Sequence, residues 1–158
     1  NIENFYLNDK CAAGTGSFIT EVAERGGINI AEMSDRAAKS SYKKELNSFC
    51  TVFAKTEIMS WLFEGLPVED IARGIYLSIL NRVIKLRIDP SAPVFLIGGV
   101  IAWHPYLKNL LHEKLQQEVQ IIDKPQFAVS FGAALFAKEA FQKGITKETE
   151  INISTYKT

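Results

Sequence analysis

A layered α/β domain, rich in helix and carrying parallel strands, is the fold class this sequence predicts, on three observations. Val94-Phe95-Leu96-Ile97 is a short continuous apolar run of the kind a buried parallel strand carries, and it enters Gly98-Gly99 directly. Val119-Gln120-Ile121-Ile122 is a second short run. Around and between them lie stretches with apolar residues three and four positions apart, the spacing of amphipathic helices. Strand, glycine turn, helix, strand, helix is the order a layered α/β domain requires.

The elements follow in chain order. Ile2-Glu3-Asn4-Phe5-Tyr6-Leu7 is a modest strand candidate. Phe18, Ile19, Val22 and Ala23 keep helical spacing until Gly26-Gly27 end the helix. Asn29 with Glu32 three residues later resembles a capping box and starts a short helix through Ala38. Residues 39–47 are polar and predict a loop; the segment from Lys39 to Lys44 is expected to be solvated. Residues 51–63 read as a helix ended by Gly65-Leu66-Pro67. Pro67 suits the first turn of the next helix, where its missing N–H costs nothing. That helix carries Ile71, Ile75, Ile79, Val83 and Leu86 on one face and runs to about Arg87. A turn at 89–93 precedes the first apolar run. Helices are expected at 106–115 and 128–142, and a polar tail at 144–158.

Bulk properties narrow the class. With 158 residues, 47% of them hydrophobic, the chain suits one globular domain with a real core. Its formal net charge is zero, so no basic footprint argues for nucleic acid or an anionic membrane. No apolar stretch reaches the roughly 20 residues that span a bilayer. The two cysteines, with no signal peptide ahead of them, read as cytosolic thiols or metal ligands rather than a disulfide framework. A start at Asn1 without Met reads as a segment excised from a longer, cytoplasmic protein.

The chemistry concentrates at those cysteines and at three glycine motifs. Cys11 precedes Ala12-Ala13-Gly14-Thr15-Gly16-Ser17, a small-residue turn that opens into a helix. Cys50, in Phe49-Cys50-Thr51-Val52-Phe53-Ala54-Lys55-Thr56-Glu57, also stands just ahead of a helical pattern. Helix starts offer free N–H groups and a positive dipole end, which favour anions. Two such thiols suggest a metal or cluster site with half its ligands supplied. Gly98-Gly99 puts side-chain-free backbone at the carboxyl edge of a sheet, where open α/β folds bind ligands; taken alone, a tight strand-to-helix turn is the plainer explanation of the pair. Gly14-Thr15-Gly16 has neither dinucleotide nor Walker spacing. Phe131-Gly132-Ala133-Ala134 is a small-residue helix face suited to close packing. His104 and His112, eight apart, make a poor helical metal pair, so a zinc site with the cysteines is disfavoured. Trp61, Phe63, Trp103 and Phe131 read as core or interface.

Taken in order, Asn-Asp-Lys-Cys-Ala-Ala-Gly-Thr-Gly, Cys-Thr-Val-Phe-Ala-x-x-Glu, Ile-Gly-Gly-Val and Phe-Gly-Ala-Ala-Leu-x-Ala closely resemble one family. It is the ATP-dependent activators of 2-hydroxyacyl-CoA dehydratases, with the related ATPase subunits of benzoyl-CoA reductase. The resemblance runs from about Asn4 to Phe141. It implies the ribonuclease H-like fold of the actin, Hsp70 and sugar-kinase superfamily, with residues 1–143 as the C-terminal, cluster-bearing domain. It implies that Cys11 and Cys50 ligate a [4Fe–4S] cluster shared across a homodimer. It also implies ATP, with Mg²⁺ in the full-length protein, near Gly14, Thr15, Gly16, Gly98 and Gly99, with Lys55 and Glu57 as weaker ribose or base contacts. The family's phosphate-binding loops, including an Asp-Gly-Gly motif, would belong to an N-terminal ATPase half absent from this chain, leaving it weak in ATP binding and hydrolysis.

The implied activity is ATP-driven, low-potential electron transfer. A ferredoxin or flavodoxin donates, and an acyl-CoA dehydratase or benzoyl-CoA reductase-type partner accepts. Two rivals predict no iron: a sugar-kinase-like phosphotransferase domain with structural cysteines, and a non-catalytic dimerisation or docking module.

Overall fold

The computed structural model describes residue 6 and residues 14–48, 50–86 and 88–144. Strand β1 (Val94–Leu96) pairs in parallel with β2 (Val119–Ile121), in the register Val94 to Val119 and Leu96 to Ile121. Parallel pairing needs a crossover, and here it is helical: α5 (Gly99–Trp103) and α6 (Tyr106–Leu115) connect the two strands. Ahead of them come α1 (Thr15–Arg25), α2 (Met33–Ala38), α3 (Thr51–Phe63) and α4 (Val68–Ile84), and behind them α7 (Ala128–Gln142).

Helix α4 is the axis of the core. Pro67 caps it from an extended conformation, and Glu69 and Asp70 sit in its first turn where the helix dipole favours them. Ile71, Ile75 and Ile79 are buried as their spacing predicts, but so are Ala72, Gly74, Tyr76, Leu77 and Leu80. The helix is covered on most sides because α2, α6 and α1 all pack on it. Phe18, Ile19 and Val22 of α1 and Ile58 and Trp61 of α3 complete the same apolar cluster. Each such side chain, withdrawn from water, contributes about 1.5–3 kcal/mol.

Several expectations change on folding. The Asn29 side chain caps by accepting from Ala31 N–H at 3.1 Å, but it opens a 3₁₀ turn (Ile30–Glu32) before α2 begins. Glu32 meets the Asn29 side-chain amide at 3.4 Å rather than its backbone, so only half of a capping box forms. The 39–47 loop is not simply solvated. Ser40 and Leu46 are buried, and Tyr42 meets Trp61 edge-to-face at 5.9 Å. Ser40 Oγ donates to Asp70 at 2.6 Å and Arg73 Nε donates to the Tyr42 carbonyl at 2.9 Å, which straps the loop to α4.

Strand β1 is not buried as expected: Phe95 and Ile97 are exposed, and neither Ile97 nor Ile122 joins the ladder. Among the described residues β1 has a single partner strand, so one of its edges is unpaired, and the face that carries Phe95 and Ile97 is exposed. Helix α7 forms over the expected residues and buries none of them; Phe131 is 66% and Phe136 75% exposed. No described element lies along its small-residue face, which was expected to pack closely. The strand candidate at residues 2–7 lies outside the described residues apart from Tyr6, which is exposed and non-helical.

Candidate functional site

Helix α1 has Gly14 as its N-cap, and among the described residues no side chain caps the N–H groups of its first turn. The Thr20 hydroxyl donates to the Gly16 carbonyl at 3.1 Å, one turn back. Opposite, the turn after β1 carries Gly98, the N-cap of α5, whose φ of 103° and ψ of 171° lie where only glycine is comfortable. Gly98 N–H donates to the Pro125 carbonyl at 2.8 Å, anchoring the turn to a 3₁₀ turn at Pro125–Phe127.

These two starts converge. A Cβ placed on Gly16 would stand 3.8 Å from Val100 Cγ2, ordinary van der Waals contact. Between them opens a cavity of about 510 Å³, walled by Gly16 and Thr20 of α1, Ile30 and Ala31 of the 3₁₀ turn, and Gly99, Val100, Trp103 and His104. Gly16 and Gly99, expected at one site, therefore share it. Gly14 and Gly98 flank it, whereas Thr15 lines a separate hollow of about 90 Å³ with Ile79 and Arg82. Lys55 and Glu57 are committed elsewhere. Lys55 Nζ meets Glu21 of α1 at 2.6 Å, and Glu57 accepts from the Asn47 backbone and side chain, so neither reaches the cavity.

Trp103 and His104 line the cavity, although sequence reasoning gave them no role in a ligand site. The only signal was their place four and five residues after the glycine pair. Trp103 is 78% exposed at the cavity, while His104 is buried. His104 Nδ1 lies 2.7 Å from the Tyr76 hydroxyl, which in turn lies 3.2 Å from Ser34 Oγ. Burial pushes the Tyr76 phenol up to about 12, against a weaker downward pull from the Ser34 hydrogen bond, so it keeps its proton. Burial also holds the His104 pKa below the ordinary imidazole value.

The sign of that depression gives a test. The unfolded chain takes up the proton first as pH falls, so His104's contribution is complete above about 6.5 and is lost below it, toward the lowered folded value. Urea midpoints are expected to fall between about pH 7 and pH 5, and to fall less in His104→Gln. An equal fall in both proteins would mean His104 is not the group responsible.

Cys50 occupies the N-cap of α3 with its thiol free and exposed. Its N–H is accepted by Ser48 Oγ at 3.2 Å, and no side chain caps the helix. Val52 and Phe53 beside it are each 68% exposed. Cys11 lies outside the described residues, and among the described residues no group of three or more His, Cys, Asp or Glu side chains is placed to hold a metal.

A glycine turn at the carboxyl end of a parallel strand, facing the start of a helix across a cavity, places this chain among α/β domains, a class whose open sheets bind ligands at that edge. More specifically, the chain belongs to the BadF/BadG/BcrA/BcrD ATPase family, which it matches over residues 1–137. It is 37% identical over 136 residues to the 2-hydroxyisocaproyl-CoA dehydratase activator of Clostridioides difficile, covering 85% of this chain and 51% of that protein. Among solved structures it resembles the Acidaminococcus fermentans (R)-2-hydroxyglutaryl-CoA dehydratase component A, at 36% identity and a TM-score of 0.78, over 89% of this chain and 55% of the other. It also resembles the activator of the 2-hydroxyisocaproyl-CoA dehydratase from Clostridium difficile with bound ADPNP, at 32% identity and a TM-score of 0.76, over 94% and 57%. The chain thus spans about half the length of the relatives it matches. Its helix-rich architecture with parallel strands is that of the activator ATPases, as the sequence resemblance implied.

Proposed function

We propose that this chain is the cluster-bearing part of an ATP-driven activator, which delivers low-potential electrons to an acyl-CoA dehydratase or benzoyl-CoA reductase-type partner. The observation that carries the reading is the cavity: two glycine motifs 83 residues apart in sequence, at Gly16 and Gly99, form its facing walls. A relative of similar structure is described with bound ADPNP. In this chain the cavity receives the adenosine part of ATP, and Gly98 and Gly99 allow close approach of the ligand to backbone. The residues that handle phosphates and Mg²⁺ belong, in this reading, to the other half of the longer protein. The exposed apolar length of α7 is the surface that half covers.

The donor set at Cys50 fits a cluster. Its thiol is free and exposed and has open helix N–H groups behind it, and with Cys11 the chain holds two thiols. Four thiolates then require two chains, and exposed Val52 and Phe53 beside Cys50 supply apolar surface for a second copy to cover. A [4Fe–4S] group held there supplies one-electron reducing chemistry. Helix α1 walls the cavity with Gly16 and Thr20, and it packs on α3, to which Glu21 and Lys55 also tie it. A shift of α1 on nucleotide binding is thereby passed to the helix that starts at Cys50.

The test is iron and sulfide content after anaerobic reconstitution. About four irons per pair of chains are expected in the unmodified protein, with most of the iron lost in Cys11→Ser and in Cys50→Ser. A folded, dimeric protein that takes up no iron without oxygen present would sink the proposal.

A further inference from the structure

We propose that His104 reads the base of the nucleotide: its ring, held through Nδ1 by the Tyr76 hydroxyl, donates Nε2–H to a ring nitrogen of a purine seated against Trp103. The inference rests on the nucleotide reading of the cavity and deepens it. His104 is 5% exposed and is one of the residues that line the cavity. One ring nitrogen is committed to Tyr76, and Nε2 is the polar atom left for a ligand.

The tautomer follows from donor and acceptor strengths. A phenol is a better donor than an aliphatic hydroxyl, and an imidazole nitrogen is a better acceptor than either oxygen. The shorter contact, 2.7 Å, joins Tyr76 to Nδ1, and the longer, 3.2 Å, joins it to Ser34. Tyr76 therefore donates to Nδ1, Ser34 donates to Tyr76, and the ring proton sits on Nε2. Tyr76 is itself buried in α4, and its ring stands edge-on to His104 at 5.7 Å, so the orientation is set by the core.

The class of ligand follows from the rest of the wall. The lining holds no Lys, Arg, Asp or Glu, and its one titratable side chain, His104, is neutral, so the site suits the base rather than the phosphates. Trp103 offers an exposed indole for stacking, and a flat ring with an acceptor nitrogen on its edge satisfies both groups at once. His104 is in this sense a specificity residue, and Tyr76 positions it.

The experiment is histidine-ring and backbone NMR on the ¹⁵N-labelled full chain, titrated with adenosine, its 1-, 3- and 7-deaza analogues, and uridine. Only two histidines are present, so His112→Gln assigns the spectrum. The free chain is expected to show His104 as the Nε2–H tautomer. Adenosine should move Nε2 and the Trp103 indole together, and uridine should bind more weakly. One deaza analogue, lacking the acceptor, should move Trp103 but not Nε2 and bind about tenfold more weakly. Tyr76→Phe keeps the ring packing and removes the hold, so the tautomer should mix and adenosine affinity fall severalfold. If adenosine moves Trp103, Gly98 and Gly99 but leaves Nε2 unmoved, the role of His104 is overturned and the nucleotide reading stands. If no compound moves any of these groups at millimolar concentration, the nucleotide reading itself fails and His104 falls with it.

Discussion

Gly74→Ala is expected to destabilise the fold by about 2–3 kcal/mol, near the top of the range for overpacking one methyl into a core. Gly74 lies mid-helix in α4, where glycine normally costs stability relative to alanine. Its reason is the Trp61 ring: an added Cβ would stand 2.7 and 2.8 Å from two ring carbons, and 3.1 Å from the Lys44 carbonyl oxygen. Neither neighbour yields easily. Trp61 is among the fully buried side chains, with Tyr42 edge-on and the Lys44 ammonium 5.6 Å from its centroid. A loss of this size is a large part of the 5–15 kcal/mol that holds a typical domain together. Urea unfolding of Gly74→Ala, of Trp61→Phe and of the double variant reads the joint directly. The smaller ring removes the clashing atoms, so the double variant should lose less than the sum of the singles. Strict additivity would show that the two residues do not share the contact.

Gly98→Ala and Gly99→Ala are expected to separate stability from binding. At Gly98 the backbone adopts φ 103°, so a side chain is strained even though the space around it is open. The cost is about 1–3 kcal/mol, and relief by a turn of the backbone would misplace the cavity wall. Gly99 has ordinary helical geometry and nothing within 4 Å of an added Cβ, so its replacement should leave the urea midpoint unchanged. If a nucleoside lies against this backbone, as proposed, the methyl takes up its space, and adenosine affinity should drop tenfold or more in both variants. Full affinity in a stable Gly99→Ala protein would show that the ligand does not approach this turn.

Much of the local structure was legible in advance. Helices α3, α6 and α7 begin and end where their apolar spacing and their flanking Gly and Pro residues place them. Both strands of the sheet and the parallel sense of their pairing were also visible, because short apolar runs separated by helical segments leave few alternatives. Less legible was anything that depends on what lies across a gap. The loop at 39–47 looked polar because its side chains are, yet Ser40, Tyr42 and Leu46 are drawn in by groups on α3 and α4 that no local pattern reveals. Gly74, in the middle of α4, finds its reason only in Trp61, whose ring packs against it from another helix.

The candidate site divides along the same line. The sequence motifs, read in order, were enough to single out Cys50, Gly16 and the Gly98-Gly99 pair, because backbone that must turn sharply or lie close to a ligand selects glycine, and a helix start selects what its open N–H groups favour. That Gly16 and Gly99 line one cavity, that Lys55 is spent on Glu21, and that Tyr76 holds His104, a residue of the same cavity wall, were settled by packing. These contacts join residues 28 to 83 positions apart. Such pairs carry no sequence periodicity, and only burial against a shared core brings them within hydrogen-bonding or van der Waals reach.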